Sequence, residues 1–238
     1  MISLEACVDS IESAKIAAKG GANRIELCMG LALGGLTPSQ GLISATINQL
    51  DIPVFVLVRP RAGNFSYSVD EVRIMCEDIK TAKELGAQGI VCGCLTRELT
   101  VDTEVLEQLL EATGTLPFTF HRAFDWITAQ TEALKILQTL GVRRILSSGG
   151  APTAEAGLSR LNELKAQSTT VGILPGGGIN PQNIHLFINS NFTEVHLSAT
   201  KIITSNTSVL PMNSSRYLVE NGVLQTDEDK LAAIQNSL

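Results

Sequence analysis

The feature that most constrains the fold of this chain is a repeated alternation between short apolar segments and longer amphipathic ones. Eight short segments rich in aliphatic and β-branched residues are each followed by a stretch whose apolar residues recur at helical spacing. The predicted strands are 2–7, 23–28, 53–59, 88–93, 117–121, 143–147, 170–174 and 194–198. The predicted helices are 9–19, 38–49, 69–85, 102–112, 128–140, 153–166, 181–189 and 226–237. Eight strand–helix units in succession indicate an α/β fold built on a parallel sheet.

Polar residues suited to capping stand at most of the predicted helix starts. Their side-chain oxygens can accept hydrogen bonds from the free N–H groups of the first helical turn. The predicted capping residues are Asp9, Thr37, Asp70, Asp102, Thr128 and Asn180.

The position of the glycine-rich turn favours a closed barrel over an open sheet. A dinucleotide-binding fold carries its glycine-rich turn after the first strand, but that turn here is 7–10, CVDS. The glycine cluster 176–178 instead follows the seventh predicted strand, where (β/α)8 barrels commonly bind phosphate. We therefore predict a single-domain TIM-like (β/α)8 barrel over residues 1–238, with no nucleotide cofactor.

One segment interrupts the alternation. Residues 199–225 are rich in Ser, Thr and Asn and lie between the eighth predicted strand and the last predicted helix. A loop of this length after a strand opens on the active face of a barrel, so it is predicted to be a lid or an oligomer contact. A disordered insertion is the alternative.

Composition and charge narrow the classes of partner. The formal net charge is −6, and no cluster of Lys and Arg suits a phosphate backbone, so nucleic acid is not expected as a partner. No apolar run approaches the ~20 residues that cross a bilayer, and the first residues lack a basic leader pattern. The odd count of five cysteines suggests no disulfide framework. We expect a cytoplasmic protein with reduced thiols and no membrane contact.

Charged and polar residues concentrate at the predicted C-terminal ends of the strands. Alternation along the strands turns Glu5 and Cys7 of the first strand, and Glu26 and Cys28 of the second, towards the barrel interior. The other polar residues near strand ends are Arg59, Arg61, His121, Arg122, Asp125 and His196. Because buried charge requires a partner, these residues predict a ligand site at the barrel mouth. A structural network of ion pairs closing the mouth is the alternative.

The cysteines of the first two strands suit a soft metal ion. Cys7 and Cys28 end neighbouring strands, which lie ~4.8 Å apart, close to the span of two metal–thiolate bonds of about 2.3 Å. Two thiolates at that separation suit Cu(I), with Met29 as a possible further ligand. Two inert buried thiols are the alternative. The closely spaced Cys92 and Cys94 lack the usual metal or redox spacing and are predicted to be core residues.

The same mouth also suits an enzyme acting on a small anionic or phosphorylated metabolite. In this hypothesis Glu5 or Glu26 acts as general acid or base, with His121 as its partner. The glycine turn would hold the anion, because glycines allow close approach and the helix predicted at 181 offers free N–H groups. The predicted ligand-binding residues are Arg59, Arg61, Arg122, Asp125, Gly176, Gly177, Gly178 and His196.

Seven segments of the chain, taken together, resemble the CutC family, named for copper homeostasis. The segments are 4–10 (LEACVDS), 21–28 (GANRIELC), 34–39 (GGLTPS), 58–61 (VRPR), 120–125 (FHRAFD), 147–150 (SSGG) and 175–179 (PGGGI). The resemblance runs from residue 2 to about 200. It implies a TIM-like barrel in the cytoplasm, assembly as a homodimer or higher homo-oligomer, and a role in copper homeostasis. It also implies that Cys7 and Cys28 are the Cu(I) ligands.

Overall fold

Eight parallel strands form the centre of the fold. The computed structural model describes residues 2–204 and 222–238. The strands are β1 (Ser3–Val8), β2 (Arg24–Leu27), β3 (Val54–Leu57), β4 (Gly89–Cys92), β5 (Phe118–Phe120), β6 (Arg144–Ser147), β7 (Gly172–Pro175) and β8 (Glu194–Leu197). Each falls within, or within a residue of, a segment predicted from the sequence.

The strands are arranged as a nearly closed barrel. Their order is β7-β6-β5-β4-β3-β2-β1-β8, so every strand except one lies beside its neighbour in sequence. The remaining seam, between β7 and β8, is joined by a bridge between Gly176 and His196. The predicted TIM-like barrel is therefore confirmed.

Eight helices accompany the strands. They are α1 (Ile11–Lys19), α2 (Gln40–Ile47), α3 (Val69–Glu84), α4 (Thr103–Thr113), α5 (Gln130–Thr139), α6 (Leu158–Gln167), α7 (Ile184–Asn189) and α8 (Glu228–Gln235). No helix of the described residues combines the length and apolarity needed to cross a lipid bilayer.

Most of the predicted helix caps were wrong by a few residues. Asp102 caps α4 as predicted, but α1, α2 and α3 are capped by Ser10, Ser39 and Ser68. Thr37 does not cap a helix; its hydroxyl instead accepts a hydrogen bond from the Arg59 backbone N–H at 2.9 Å. The helices α5 and α7 begin without a side-chain cap, so Thr128 and Asn180 do not cap them either.

Strand alternation divides the apolar residues into two layers. Residues such as Leu4 and Ile25 face outward and join the core between the strands and the helices. Cys92 and Cys94 belong to this outer core, as predicted. A smaller cluster fills the barrel interior and consists of Cys7, Cys28, Phe55, Leu57 and Val91.

Gly89 makes room for the largest side chain of the interior cluster. A Cβ atom at this position would lie 2.5 Å from the Phe55 ring, which is closer than nonbonded carbons approach. One face or edge of the Phe55 ring in turn contacts two guanidinium groups, whose central carbons lie 4.9 Å (Arg24) and 5.2 Å (Arg144) from the ring centroid. The aromatic ring therefore separates the apolar interior from charged residues further down the barrel.

The segment predicted as a loop at 199–225 contains strands at both ends. β9 (Thr200–Thr204) pairs antiparallel with β10 (Gly222–Thr226), forming a two-stranded ribbon between β8 and α8. The loop prediction was therefore wrong for these ends. Residues 205–221 lie outside the described part of the chain, and the prediction of a lid or oligomer contact there stays a prediction.

Candidate functional site

A cavity of about 250 Å³ opens at the C-terminal ends of the strands. It lies where the ends of β1, β2, β3, β5, β7 and β8 converge. The predicted site residues that line it are Cys7, Glu26, Arg59, His121, Arg122, Gly177, Gly178 and His196. The structure thus brings most of the predicted polar residues together at the barrel mouth.

Cys7 lines this cavity, and Cys28 lies beside it without lining the cavity. Their sulfur atoms are 3.8 Å apart, and both side chains are buried. The Cys28 sulfur also approaches the Val8 carbonyl oxygen at 3.4 Å, and the Cys7 sulfur approaches Glu26 Oε1 at 3.6 Å. All five cysteines are free thiols, so this pair is not a disulfide. Met29, predicted as a possible soft neighbour, is exposed and does not line the cavity.

The surroundings of Cys7 hold its thiol in the neutral form. The contact with Cys28, burial and the charge of Glu26 together raise the pKa of Cys7 well above its usual value. A hydrogen bond with His196 acts in the other direction and is weaker. Cys7 is therefore a protonated thiol at neutral pH, and a metal ion that binds it must displace the proton.

Glu5 is a buried carboxylate held by two cationic groups. His196 Nδ1 lies 2.8 Å from Glu5 Oε1, and Arg24 Nε donates to Oε2. Burial raises its pKa, but the attraction of His196 and Arg24 outweighs burial and lowers the pKa to about 2. Glu5 is fully buried and does not line the cavity, and its acid–base role stays a prediction.

Glu26 and His196 face each other at the mouth. His196 Nδ1 lies 3.7 Å from Glu26 Oε2, and that oxygen forms no hydrogen bond. Burial raises the pKa of Glu26 to about 7. Burial lowers the pKa of His196, but the charge of Glu26 and the bonds to Cys7 and Glu5 raise it well above its usual value.

Cys7, Glu26 and His196 form a group with metal-ligand chemistry. A donor atom from each lies within 4.8 Å of the others. Sequence analysis placed His196 among the ligand-binding residues and not among the metal ligands. The signal that relates them is strand register, since β1 pairs Glu5 with His196 on β8 and Cys7 with Glu26 on β2.

Below the mouth, an ion-pair network crosses the barrel. Arg24 Nη2 donates to Glu194 Oε2 at 2.7 Å, and Arg144 Nε lies 3.1 Å from both Glu194 oxygens. Because Arg24 also holds Glu5, the network reaches up to the site. A network of ion pairs, the alternative to a ligand site in the sequence analysis, is therefore present in the lower half of the barrel interior. The mouth itself retains a cavity. Arg144 had no role assigned from the sequence.

Two of the predicted ligand-binding residues are used to hold loops. Arg61 pairs with Glu71 and donates to the Ser66 carbonyl at 2.8 Å, lining a separate groove. Asp125 accepts from Ser147 Oγ at 2.6 Å and from Arg122 Nε at 2.8 Å. Neither residue lines the mouth cavity, although Asp125 fixes Arg122, which does.

His121 is a neutral imidazole at the cavity wall. Its Nδ1 accepts a hydrogen bond from the Ala123 backbone N–H at 3.2 Å, which leaves the proton on Nε2. Burial, reinforced by the charge of Arg59, lowers the pKa of His121 to about 3. Nε2 has no partner among the described residues. His121 is therefore a hydrogen-bond donor and not a cation at neutral pH.

The glycine turn follows β7 and completes the rim. Gly177 and Gly178 have φ angles of +110° and +77°, which side-chain-bearing residues rarely adopt. Gly176 closes the barrel seam with His196 and does not itself line the cavity. The next helix, α7, begins at Ile184 and not near residue 181, so the predicted contribution of a helix end beside the turn was wrong.

Fold and site together define a class: a TIM-like barrel whose mouth carries a buried group of thiols, carboxylates and imidazole. Comparison with known proteins identifies the family. The sequence model of the CutC family matches residues 2–201, and the chain belongs to the CutC family.

Relatives of the chain support this assignment along almost its full length. A family protein CutC of Pasteurella multocida is 40% identical over 99% of this chain and 98% of that protein. A human protein named copper homeostasis protein cutC homolog is 41% identical over 97% of this chain and 87% of that protein. The crystal structure of a CutC protein from Streptococcus agalactiae superposes with a TM-score of 0.80. It is 36% identical and covers 83% of this chain and 99% of that one.

Proposed function

We propose that this CutC-family protein acts in copper homeostasis by binding Cu(I) through Cys7 and Cys28. The observation that carries the proposal is the 3.8 Å separation of the two sulfur atoms, of which Cys7 Sγ belongs to a residue that lines the mouth cavity. Two metal–thiolate bonds of about 2.3 Å span at most ~4.6 Å, so one ion can contact both sulfurs. Cu(I) is the soft ion that thiolate ligands select.

The surroundings of the pair offer different ligand sets to a soft ion and to a harder one. His196 supplies a nitrogen within 4.8 Å of the Cys7 sulfur. Glu26 supplies a hard carboxylate that suits Zn²⁺ better than Cu(I). A Zn²⁺ ion would therefore use Cys7, Glu26 and His196, whereas Cu(I) would use the two sulfurs.

A competition titration tests the proposal. Reduced protein is titrated anaerobically with Cu(I) against a chromophoric Cu(I) chelator, with Zn²⁺ as the comparison ion. Cys7→Ser and Cys28→Ser should each weaken Cu(I) binding by at least about tenfold, and the double variant should abolish competition with the chelator. Glu26→Gln should weaken Zn²⁺ binding but not Cu(I) binding, because it removes a Zn²⁺ ligand and also a charge that holds the Cys7 thiol protonated.

Cys76→Ser provides the matched control. Cys76 lies on α3, outside the cavity, and its loss should leave the titration unchanged. Unaltered Cu(I) affinity in the Cys7→Ser, Cys28→Ser double variant would contradict the proposal, as would equal losses in the Cys76→Ser variant.

We infer further that the protein works in the reducing cytoplasm as a homodimer or higher homo-oligomer. Five free thiols support a reducing compartment, because exported proteins usually pair their cysteines. Light scattering on the purified protein measures the assembly directly. A mass of 25.4 kDa, that of one chain, would contradict the inferred oligomer.

A further inference from the structure

The mouth cavity contains a buried cation without a counter-ion. Arg59 is 6% exposed, and its guanidinium donates to the carbonyl oxygens of Leu33, Gly35 and Gly63 at 2.8–3.1 Å. Among residues 2–204 and 222–238 no carboxylate pairs with it, and its Nε has no partner. A buried unpaired charge is costly, so the cavity attracts negative charge.

The described carboxylates around the cavity have cationic neighbours other than Arg59. Glu5 is held by Arg24 and His196, Glu26 faces His196 at 3.7 Å, and Asp125 is held by Arg122. Arg59 is therefore the cation whose charge the described carboxylates leave uncompensated. A small anion entering the cavity would supply the missing negative charge.

Arg122 and the glycine turn form a cradle at the rim. Arg122 Nε and Nη2 are fixed by Asp125 and Ser148, while no described residue accepts from Nη1. Nη1 lies against the turn, since a Cβ atom on Gly177 would stand only 3.3 Å from it. The backbone N–H groups of Gly178 and Ile179 likewise have no acceptor among the described residues. Arg122, Gly178 and Ile179 all line the cavity, and donors of this kind bind anionic oxygens.

His121 adds a neutral donor to the same wall. Its Nε2–H lacks an acceptor, although the residue is 6% exposed. An unpaired buried donor is unfavourable, and a ligand carbonyl or hydroxyl oxygen would satisfy it. The Phe65 ring packs 4.9 Å from both the His121 ring and the Arg59 guanidinium, so these groups share one pocket.

The size and the apolar lining of the cavity set the size of the ligand. Its volume is about 250 Å³, below the usual range for sites that hold drug-sized molecules. Leu57, Leu146, Ile179 and Leu197 line it between the polar groups. These features suit a carbon skeleton of a few atoms.

We propose that the mouth cavity is a binding site for a small organic anion, a phosphate monoester or carboxylate on a short carbon skeleton. Arg122 and the N–H groups of Gly178 and Ile179 hold the anionic group, Arg59 balances its charge, and His121 Nε2 donates to an oxygen of the skeleton. This inference goes beyond copper binding, because it uses none of the sulfur atoms. A bound anion would also compensate the buried charge of Arg59, which a metal cation at the sulfur atoms would not do.

Thermal unfolding with three matched probes tests the proposal. Glycerol 3-phosphate, glycerate and glycerol share a three-carbon skeleton and differ in charge, and NaCl matches the ionic strength. At a hundredfold excess over Kd, an anion that binds should raise Tm by about 5 °C or more, whereas glycerol should have no effect. Stabilisation by glycerol 3-phosphate alone identifies a phosphate site, and stabilisation by glycerate identifies a carboxylate site.

Variants assign the effect to the mouth. Arg122→Gln should weaken anion binding by about tenfold or more, and Arg122→Lys, which keeps the charge, should weaken it less. Arg73→Gln is the matched control, because Arg73 is an exposed residue of α3 and should bind like the wild type. The proposal is overturned if neither anion stabilises the protein beyond NaCl, or if Arg73→Gln loses as much binding as Arg122→Gln.

Failure of this proposal can be told apart from failure of copper binding. Cys28 does not line the cavity, so Cys28→Ser should keep anion binding while it loses Cu(I). Arg122→Gln should show the reverse. Anion binding that disappears in Cys28→Ser with the fold intact would overturn the assignment to Arg122 and the glycine turn.

Discussion

Replacing His121 should change how the stability of the protein depends on pH. His121 is a buried neutral imidazole whose pKa is lowered from 6.5 to about 3 by burial and by the charge of Arg59. Between pH 6.5 and about 3, the unfolded chain binds a proton at this residue that the folded chain does not bind. The free energy of unfolding therefore decreases as the pH falls through this range. Above pH 6.5 both states leave His121 neutral, and this loss of stability is absent.

The size of the effect follows from the shift. Each pH unit between the two pKa values changes the free energy of unfolding by about 1.4 kcal/mol. Between pH 6.5 and 4.5, His121 alone should reduce it by about 2–3 kcal/mol. Other groups titrate in the same range, Glu26 among them, so the informative quantity is the difference between wild type and variant.

His121→Asn is the substitution that isolates this contribution. An asparagine oxygen can still accept the hydrogen bond from the Ala123 N–H, but the side chain no longer titrates. The variant loses ring packing at every pH, so its unfolding free energy should be lower throughout, yet its slope between pH 6.5 and 4.5 should be shallower. Urea unfolding at half-unit pH intervals measures both quantities.

The matched control is His185→Asn, since His185 is exposed on α7. Its free energy of unfolding should depend on pH with the same slope as that of the wild type. If wild type and His121→Asn also run parallel, then His121 is not held in its neutral form by the fold and the reasoning fails.

Three further substitutions test the packing and charge of the barrel. Gly89→Ala should lower the free energy of unfolding by about 1–3 kcal/mol, because its Cβ would stand 2.5 Å from the Phe55 ring; a wild-type urea midpoint would contradict the packing argument. Glu5→Gln should cost about 3–5 kcal/mol at pH 7, because it removes the buried carboxylate that Arg24 and His196 share and leaves them only Glu194 and Glu26. Because the pKa of Glu5 is lowered from 4.5 to about 2, its stabilising contribution is lost as the pH falls through that range, and the variant should lack this loss. Acid unfolding of the variant that matches wild type between pH 4.5 and 2, followed by circular dichroism, would count against this role. Asp125→Ala should lower Tm by several degrees, since Asp125 accepts hydrogen bonds from four donor groups of the 147–150 loop. A calorimetric Tm equal to that of wild type would be inconsistent with this role.

The sequence predicted the barrel because the evidence for it is local and repeated. Each strand shows its own apolar pattern and each strand–helix unit repeats it, so an error in one unit does not change the fold. The inward direction of Glu5, Cys7, Glu26 and Cys28 follows from strand alternation alone, which is why these residues were found.

Which of the mouth residues line the cavity could not be predicted in the same way. Arg59 and Arg61 are two residues apart, yet one lines the cavity and the other pairs with Glu71 in a separate groove. That difference depends on how the loop after β3 folds back on the start of α3. Loop conformation leaves no repeating pattern in the sequence from which it could be predicted. The contact of His196 with Glu5 and Glu26 depends on the register of β8 against β1, which brings together residues 191 apart in sequence.

The distribution of charge around the barrel explains how one mouth can serve the two proposed ligands. Sulfur atoms and carboxylates come from β1 and β2, beside His196 on β8, whereas Arg59 and Arg122 follow β3 and β5. In the strand order, β8, β1 and β2 are consecutive, and β5 is separated from them by β3 and β4. Proposed Cu(I) ligands and proposed anion ligands therefore lie on different arcs of the rim. Since a bound cation and a bound anion attract each other, occupancy of one site should strengthen binding at the other, and this coupling must be equal in both directions.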